Sequence, residues 1–367
     1  MVIYRTKLGL HKMDILAKRF PRFLNFLSYI SITLGYLGMV YILGFLIYGA
    51  YQFLFLNLPS PVGIVIPRVE IIPGLPPLSL MHWIISIIVL ATVHEFSHGV
   101  FARLHKIKIK SSGFAFFALF APILPAAFVE PDEKELTNAS KKAQLSVLSA
   151  GSFANVISAI VFFLIFLLIL APAHIHFANV EQSSELEITG FMEDGPLKIA
   201  GATLGEKIIS IDGKIVTNQS ELFRVLNTTS PHELIMLETD ANSYNVKLTE
   251  HPDDEQMGYL GAFTAPVCNL WKFDNCPDLK SKAIGWSYWL LFWLFTINVG
   301  VGLFNLLPLG ILDGGKMFFI AVMGITKSEK VTKRIWKAVN IFLLLLLLVL
   351  ILPQLFKTLI LPLINLL

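Results

Sequence analysis

The chain has 367 residues, 55% of them apolar and only 15% charged, with a formal net charge of +3. A soluble protein of that length could bury a large core, but runs such as VFFLIFLLIL and IFLLLLLLVLIL belong to stretches long enough to cross a bilayer, which excludes a purely soluble class. Residues 174–282 hold 17 Asp/Glu against 8 Lys/Arg, while the bases elsewhere stand beside apolar runs, as cytoplasmic flanks of membrane spans do and as a nucleic-acid-binding face does not.

Residues 1–22 form a basic N-terminus carrying Arg5, Lys7, Lys12, Lys18, Arg19 and Arg22 ahead of the first apolar stretch, 23–58. This bias places the N-terminus in the cytoplasm. The apolar run is too long for a signal-peptide core and is expected to stay as an anchor. A Pro- and Gly-rich connection, LPSPVGIVIPRVEIIPGLPP, leads to a second span at 80–104, which ends in the basic HKIKIK. Residues 113–129 are apolar but short, and contain Pro122 and Pro125. They read as a re-entrant or strand-like element packed against protein. A polar loop (130–142) and a third span (about 143–171) complete a first membrane block, 59–173.

From 174 to 282 the chain turns soluble in character, with alternating stretches LEITGFM, EKIISIDG, ELIMLETD and YNVKLTE read as strands and ELFRVLNT as a short helix. Cys268 and Cys276 lie here; a disulfide and two free thiols are both compatible with the sequence. His174 and His176 are expected in an interfacial loop. A second membrane block, 283–325, holds a fourth span ending in NLLPLGILDGGK, and 326–367 forms a C-terminal membrane segment. The sequence leaves open whether 314–325 crosses the bilayer. The expected fold class is a polytopic α-helical membrane protein of about six membrane segments with a β-rich soluble insertion.

The chemistry concentrates in ATVHEFSHGVFARL. On a helix His94 and His98 project from one face and can share one metal ion, and Glu95 beside them can serve a water as general base. Ionisable groups in an apolar span cost roughly 2.5 kcal/mol or more when charged, so they should face a protein interior with a purpose. A catalytic zinc takes a third protein ligand. His105 falls off the spacing of the extended motif, and Asp313 in LPLGILDGG is the best remaining candidate, with Pro308 breaking the helix before it.

HEFSHG in one span, NLLPLGILDGG in a later one and SAGSFAN between them resemble the site-2 proteases, zinc metalloproteases that cut other proteins within their membrane spans. The resemblance implies that His94, His98 and Asp313 hold Zn2+, that Glu95 activates the water, and that Asn155 and Asn305 help position substrate. It implies membrane-anchored protein substrates, a bilayer setting, no nucleic acid, and a cell-membrane protein whose active-site side faces the cytoplasm. The segment ITGFMEDGPLKIAGATLGEKIISIDGKIVTNQSELFRVL, within about 185–264, resembles a PDZ domain, with Glu206 in place of the common Asp. That implies an extracytoplasmic module able to take a peptide or protein ligand by strand addition. A catalytically inactive scaffold acting through this module, and a metal or proton transporter, are the competing readings. A helical substrate has its amides already paired, so an open strand edge at 113–129 is the expected docking place, limited by prolines that cannot donate.

Overall fold

The computed structural model of the chain describes residues 2–7, 9–63, 65, 67, 78–117, 124–181, 184–252 and 254–356. Strand β1 (Val2–Thr6) precedes helices α1 (Leu10–Arg19), α2 (Pro21–Phe55) and α3 (Leu80–Leu104). Strands β2 (Ile109–Phe117) and β3 (Leu124–Pro131), the short α4 (Glu133–Asn138) and the long α5 (Lys141–Glu181) follow. The insertion contains β4 (Leu186–Phe191), α6 (Pro196–Ile199), β5 (Lys207–Ile211), β6 (Lys214–Ile215) and α7 (Gln219–Leu226). It continues with β7 (Leu234–Thr239), β8 (Ser243–Lys247), β9 (Thr249–His251), β10 (Asp254–Tyr259) and β11 (Ala262–Pro266). Helices α8 (Leu279–Phe304), α9 (Asp313–Thr326) and α10 (Glu329–Leu355) end the described chain. Residues 1–165 with 290–367 form one compact unit and 166–289 a second.

Among the described residues five helices, α2, α3, α5, α8 and α10, are long and apolar enough to cross a membrane. The expectation of about six segments is reduced by α9. Its 14 residues reach only about 21 Å at the α-helical rise, short of the ~30 Å hydrocarbon core. Helix α5 is longer than the expected third span, continuing through Pro172 to Glu181. His174 and His176 are therefore helical and not in a loop.

In the first unit, small polar side chains let two spans close on each other. Ser31 Oγ of α2 lies 2.9 Å from Ser149 Oγ of α5, and Ser146 Oγ donates to Ser28 Oγ at 2.9 Å. All four are fully buried, and mutual pairing satisfies hydroxyls that lipid could not. In the stretch read as re-entrant, β2 and β3 pair antiparallel; residues 118–123, with Pro122, lie outside the described residues. The N-terminal β1 pairs with the outer edge of β2, from Val2 opposite Phe116 to Thr6 opposite Ser112, giving the order β1-β2-β3. The basic N-terminus thus contributes a strand that no local sequence pattern signals.

The second unit is a sheet of order β11-β4-β5-β7-β8, with β6 paired to β5. The period-two pattern holds on β7, where Ile235 and Leu237 are buried and Leu234 and Met236 exposed. Helix α7 starts where Asn218 Oδ1 accepts from the Glu221 amide at 3.0 Å, and lays Leu222, Val225 and Leu226 into the core. Glu206 is a buried hub: its carboxylate accepts from the Thr203 amide and hydroxyl, Tyr244 OH and Thr239 Oγ1 at 2.7–2.9 Å. Burial pushes its carboxyl up, but these donors outweigh it and hold the group below its ordinary value. Cys268 and Cys276 form a disulfide, so the free-thiol alternative falls away. His176 Nε2 lies 2.8 Å from Ser281 Oγ, and the Ser281 amide donates to Asp278, capping the start of α8.

Candidate metal centre and its cleft

Helix α3 begins where Ser79 accepts from the His82 amide, and from there its 3.6-residue period turns one stripe inward. His82, Ser86, Leu90, His94 and His98 are all buried on it. His94 and His98 stand one turn apart with their Nε2 atoms 3.1 Å from each other. The third group comes from a turn that only small residues allow. After α8 ends, the Gly314 amide donates to the Asn305 carbonyl at 2.9 Å. A Cβ on Gly314 would collide with the Leu306 carbonyl, and one on Gly315 with that of Leu309. Asp313 thereby becomes the first residue of α9, where the helix dipole favours a carboxylate. Its Oδ2 lies 3.3 Å from His94 Nε2 and 3.1 Å from His98 Nε2.

These three atoms form a triangle with sides of 3.1–3.3 Å. A tetrahedral zinc with bonds of about 2.0–2.1 Å separates its ligand atoms by roughly 3.3 Å, so the triangle is of the size such an ion requires. The donor chemistry fits as well. His98 Nδ1–H donates to the Val147 carbonyl at 2.7 Å, which in the neutral ring leaves Nε2 as a bare lone pair. Two imidazole lone pairs and a carboxylate oxygen at this spacing repel one another unless a cation sits among them. Two histidines and one carboxylate leave a fourth position for water or substrate.

Helix α5 backs the centre. Val147, Gly151 and Asn155 recur every fourth residue and face α3. A Cβ on Gly151 would lie 2.5 Å from the Nε2 atoms of both His94 and His98, so the absence of a side chain lets the rings occupy their place. Asn155 is fully buried, its amide nitrogen 3.0 Å from His94 Nδ1. The contact Asn155 makes is with His94, and it is not among the residues that line the cleft. The same four-residue spacing that aligns it with Gly151 sets it behind His94, away from the open cleft.

Glu95 points the other way, into a cleft of about 750 Å3 also lined by His94, His98, Asn305, Asp313 and Lys316. One carboxylate oxygen accepts from the Val129 amide of β3 at 2.8 Å, tying the acid to the edge of the sheet. Asn305, unlike Asn155, reaches the cleft wall. Arg5 of β1 also lines the cleft and lies 3.8 Å from Glu130. From the sequence Arg5 reads only as a cytoplasmic flank charge, and Val147 contributes a backbone carbonyl that no side-chain pattern signals.

The sequence model of peptidase family M50 matches residues 82–350, a stretch that contains both halves of the metal centre. An uncharacterized protein of Methanocaldococcus jannaschii is 28% identical over 324 residues, covering 85% of this chain and 75% of its own length. Among solved structures, the PDZ domain of an SdrC-like protein from Listeria monocytogenes matches 22% of this chain and 87% of its own, at 14% identity and a TM-score of 0.20. That score is too low to carry the fold of the insertion.

Proposed function

The chain belongs to peptidase family M50, and on that premise we propose that it is a zinc-dependent endopeptidase that cleaves membrane-anchored proteins within or next to their spans. The observation that supports this most is the convergence of His94, His98 and Asp313, from segments more than 200 residues apart, into one triangle of metal-ligand size beside an acid that opens on a cleft. Zinc held there would supply Lewis acidity at neutral pH. Glu95 acts as general base and then acid: it receives the proton of the attacking water and delivers it to the departing amide nitrogen as the C–N bond breaks. Asn305, on the cleft wall, is proposed to donate to a substrate carbonyl.

Strand β3 is the proposed docking edge. Among the described residues it pairs only with β2. The Val129 amide reaches Glu95, so Val129 directs its backbone groups away from β2. By the alternation of antiparallel strands Ala127 and Pro125 do the same. Pro125 offers no donor, which leaves Ala127 as the residue with both a free N–H and a free C=O on that edge. With β1 on the far side of β2, an unwound substrate adds at β3, next to Glu95. The basic residues at the C-terminal end of α3 and in the first turns of α10 favour a cytoplasmic setting for this side of the bilayer. The Cys268–Cys276 disulfide favours an oxidising, extracytoplasmic setting for the insertion, which is proposed to select partners as a PDZ-like module.

The test is cleavage of a single-span model substrate by protein reconstituted in vesicles, before and after zinc removal with 1,10-phenanthroline and after zinc is restored. The expected result is loss and recovery of a cut mapped by mass spectrometry to the span or its flank. Cleavage insensitive to chelation would contradict the proposal.

A further inference from the structure

Both ring nitrogens remote from the metal position meet helix α5. For His98 the partner is the Val147 carbonyl, an acceptor that fixes the Nδ1–H tautomer and aims Nε2 at the centre. For His94 the partner is the Asn155 amide, whose nitrogen lies 3.0 Å from Nδ1. The other end of that amide, Oδ1, is buried with no hydrogen-bond partner among the described residues. A histidine that binds metal through Nε2 must carry its proton on Nδ1, and then needs an acceptor there, not a second donor. A half-turn of the amide exchanges its nitrogen and oxygen within almost the same volume. That puts the unpartnered oxygen opposite the Nδ1 proton.

We propose that Asn155 is a positioning residue of the metal centre, accepting the His94 Nδ1–H through its side-chain oxygen and thereby fixing the ring that presents Nε2 to zinc. The inference rests on the zinc-peptidase reading and adds to it the device that orients the first ligand. Its pieces are independent of substrate. Asn155 is fully buried, lies outside the residues lining the cleft, and stands one helical turn from Gly151, whose missing side chain leaves room for both rings. Val147, Gly151 and Asn155 thus form one face of α5 that supplies an acceptor, a gap and an acceptor to the two histidines.

The experiment uses the full-length protein in detergent or nanodiscs, comparing wild type with Asn155→Leu, Asn155→Ala and Asn155→Asp. Zinc affinity is read by competition with a chromophoric chelator, and ligand geometry by the visible absorption of the Co2+-loaded protein. Asn155→Leu and Asn155→Ala should bind zinc about 10–100-fold more weakly and shift the Co2+ bands. Asn155→Asp, which keeps the acceptor, should bind within about threefold of wild type or tighter. At saturating zinc, KM for substrate should be unchanged in all. Thermal unfolding of the zinc-free proteins separates a folding defect from a metal defect, and Asn155→Ala serves where the leucine does not fit. Wild-type zinc affinity in both apolar variants, or a raised KM with kcat preserved, overturns the inference and leaves the peptidase reading standing. A wild-type protein that binds no zinc would instead overturn that reading.

Discussion

Replacing Gly151 by alanine tests the packing of the centre with a single methyl group. The new Cβ would lie 2.5 Å from the Nε2 atoms of His94 and His98, whereas ordinary contacts of this kind begin near 3.4 Å. Either α5 or both rings must move by about 0.9 Å, and the rings are rigid and already bound at Nδ1. In a sound metal site the ligand distances fall within about 0.2 Å of their ordinary values, and a shift of about 0.9 Å lies well beyond that range. Zinc affinity is therefore expected to fall at least about 100-fold, roughly 2.7 kcal/mol, while overpacking costs the fold about 1–3 kcal/mol. The assay is chelator competition on purified Gly151→Ala and wild-type protein, with circular dichroism to confirm that the helices persist. A folded variant that holds zinc as tightly as wild type would refute the placement of α5 against the ligand triangle.

Three further outcomes are expected. Ala127→Pro removes the free donor on the β3 edge without taking a bond from the β2–β3 ladder; cleavage should drop at least about tenfold with zinc content unchanged, whereas Ala127→Val should cleave normally. Glu206→Gln should destabilise the insertion by about 1–2 kcal/mol at neutral pH, followed by denaturation with Trp271 and Trp289 fluorescence. Because the folded carboxyl is held below its ordinary value of 4.5, the wild-type advantage is full above that value and lost as pH falls through the lower folded one. The two proteins should therefore converge only in acid. Cys268→Ser opens a loop whose ends are eight residues apart and should cost about 2–3 kcal/mol by loop entropy, an effect that reductant should reproduce in wild type.

Local chemistry made much of this molecule readable. Two histidines at i and i+4 in an apolar span, and an acid after a helix-breaking Pro308, declare themselves because each is costly or disruptive unless used. The strands of the insertion follow from period-two alternation, and α7 from its cap and buried face. The unreadable parts depend on partners remote in sequence. Strand β1 has five residues and pairs across more than 100 positions with β2, so nothing in VIYRT distinguishes it from a basic flank. The residue type of Asn155 suits a substrate contact and a packing amide alike, and its contact with His94 depends on the packing of α5 against α3, which no local pattern signals. Helix α5 passes Pro172 into the polar AHIH because an interior proline removes one backbone bond and need not end a long helix. Composition alone ends that span at about 171.

The most direct test of the peptidase account compares Glu95→Gln with wild type for zinc content and cleavage of the same membrane-anchored substrate. Glu95 contacts the Val129 amide but is not among the groups that converge on the metal position. The variant should therefore bind zinc at the wild-type level and lose cleavage by at least about 100-fold, the scale of a lost general base. Equal cleavage by the two proteins would contradict the account.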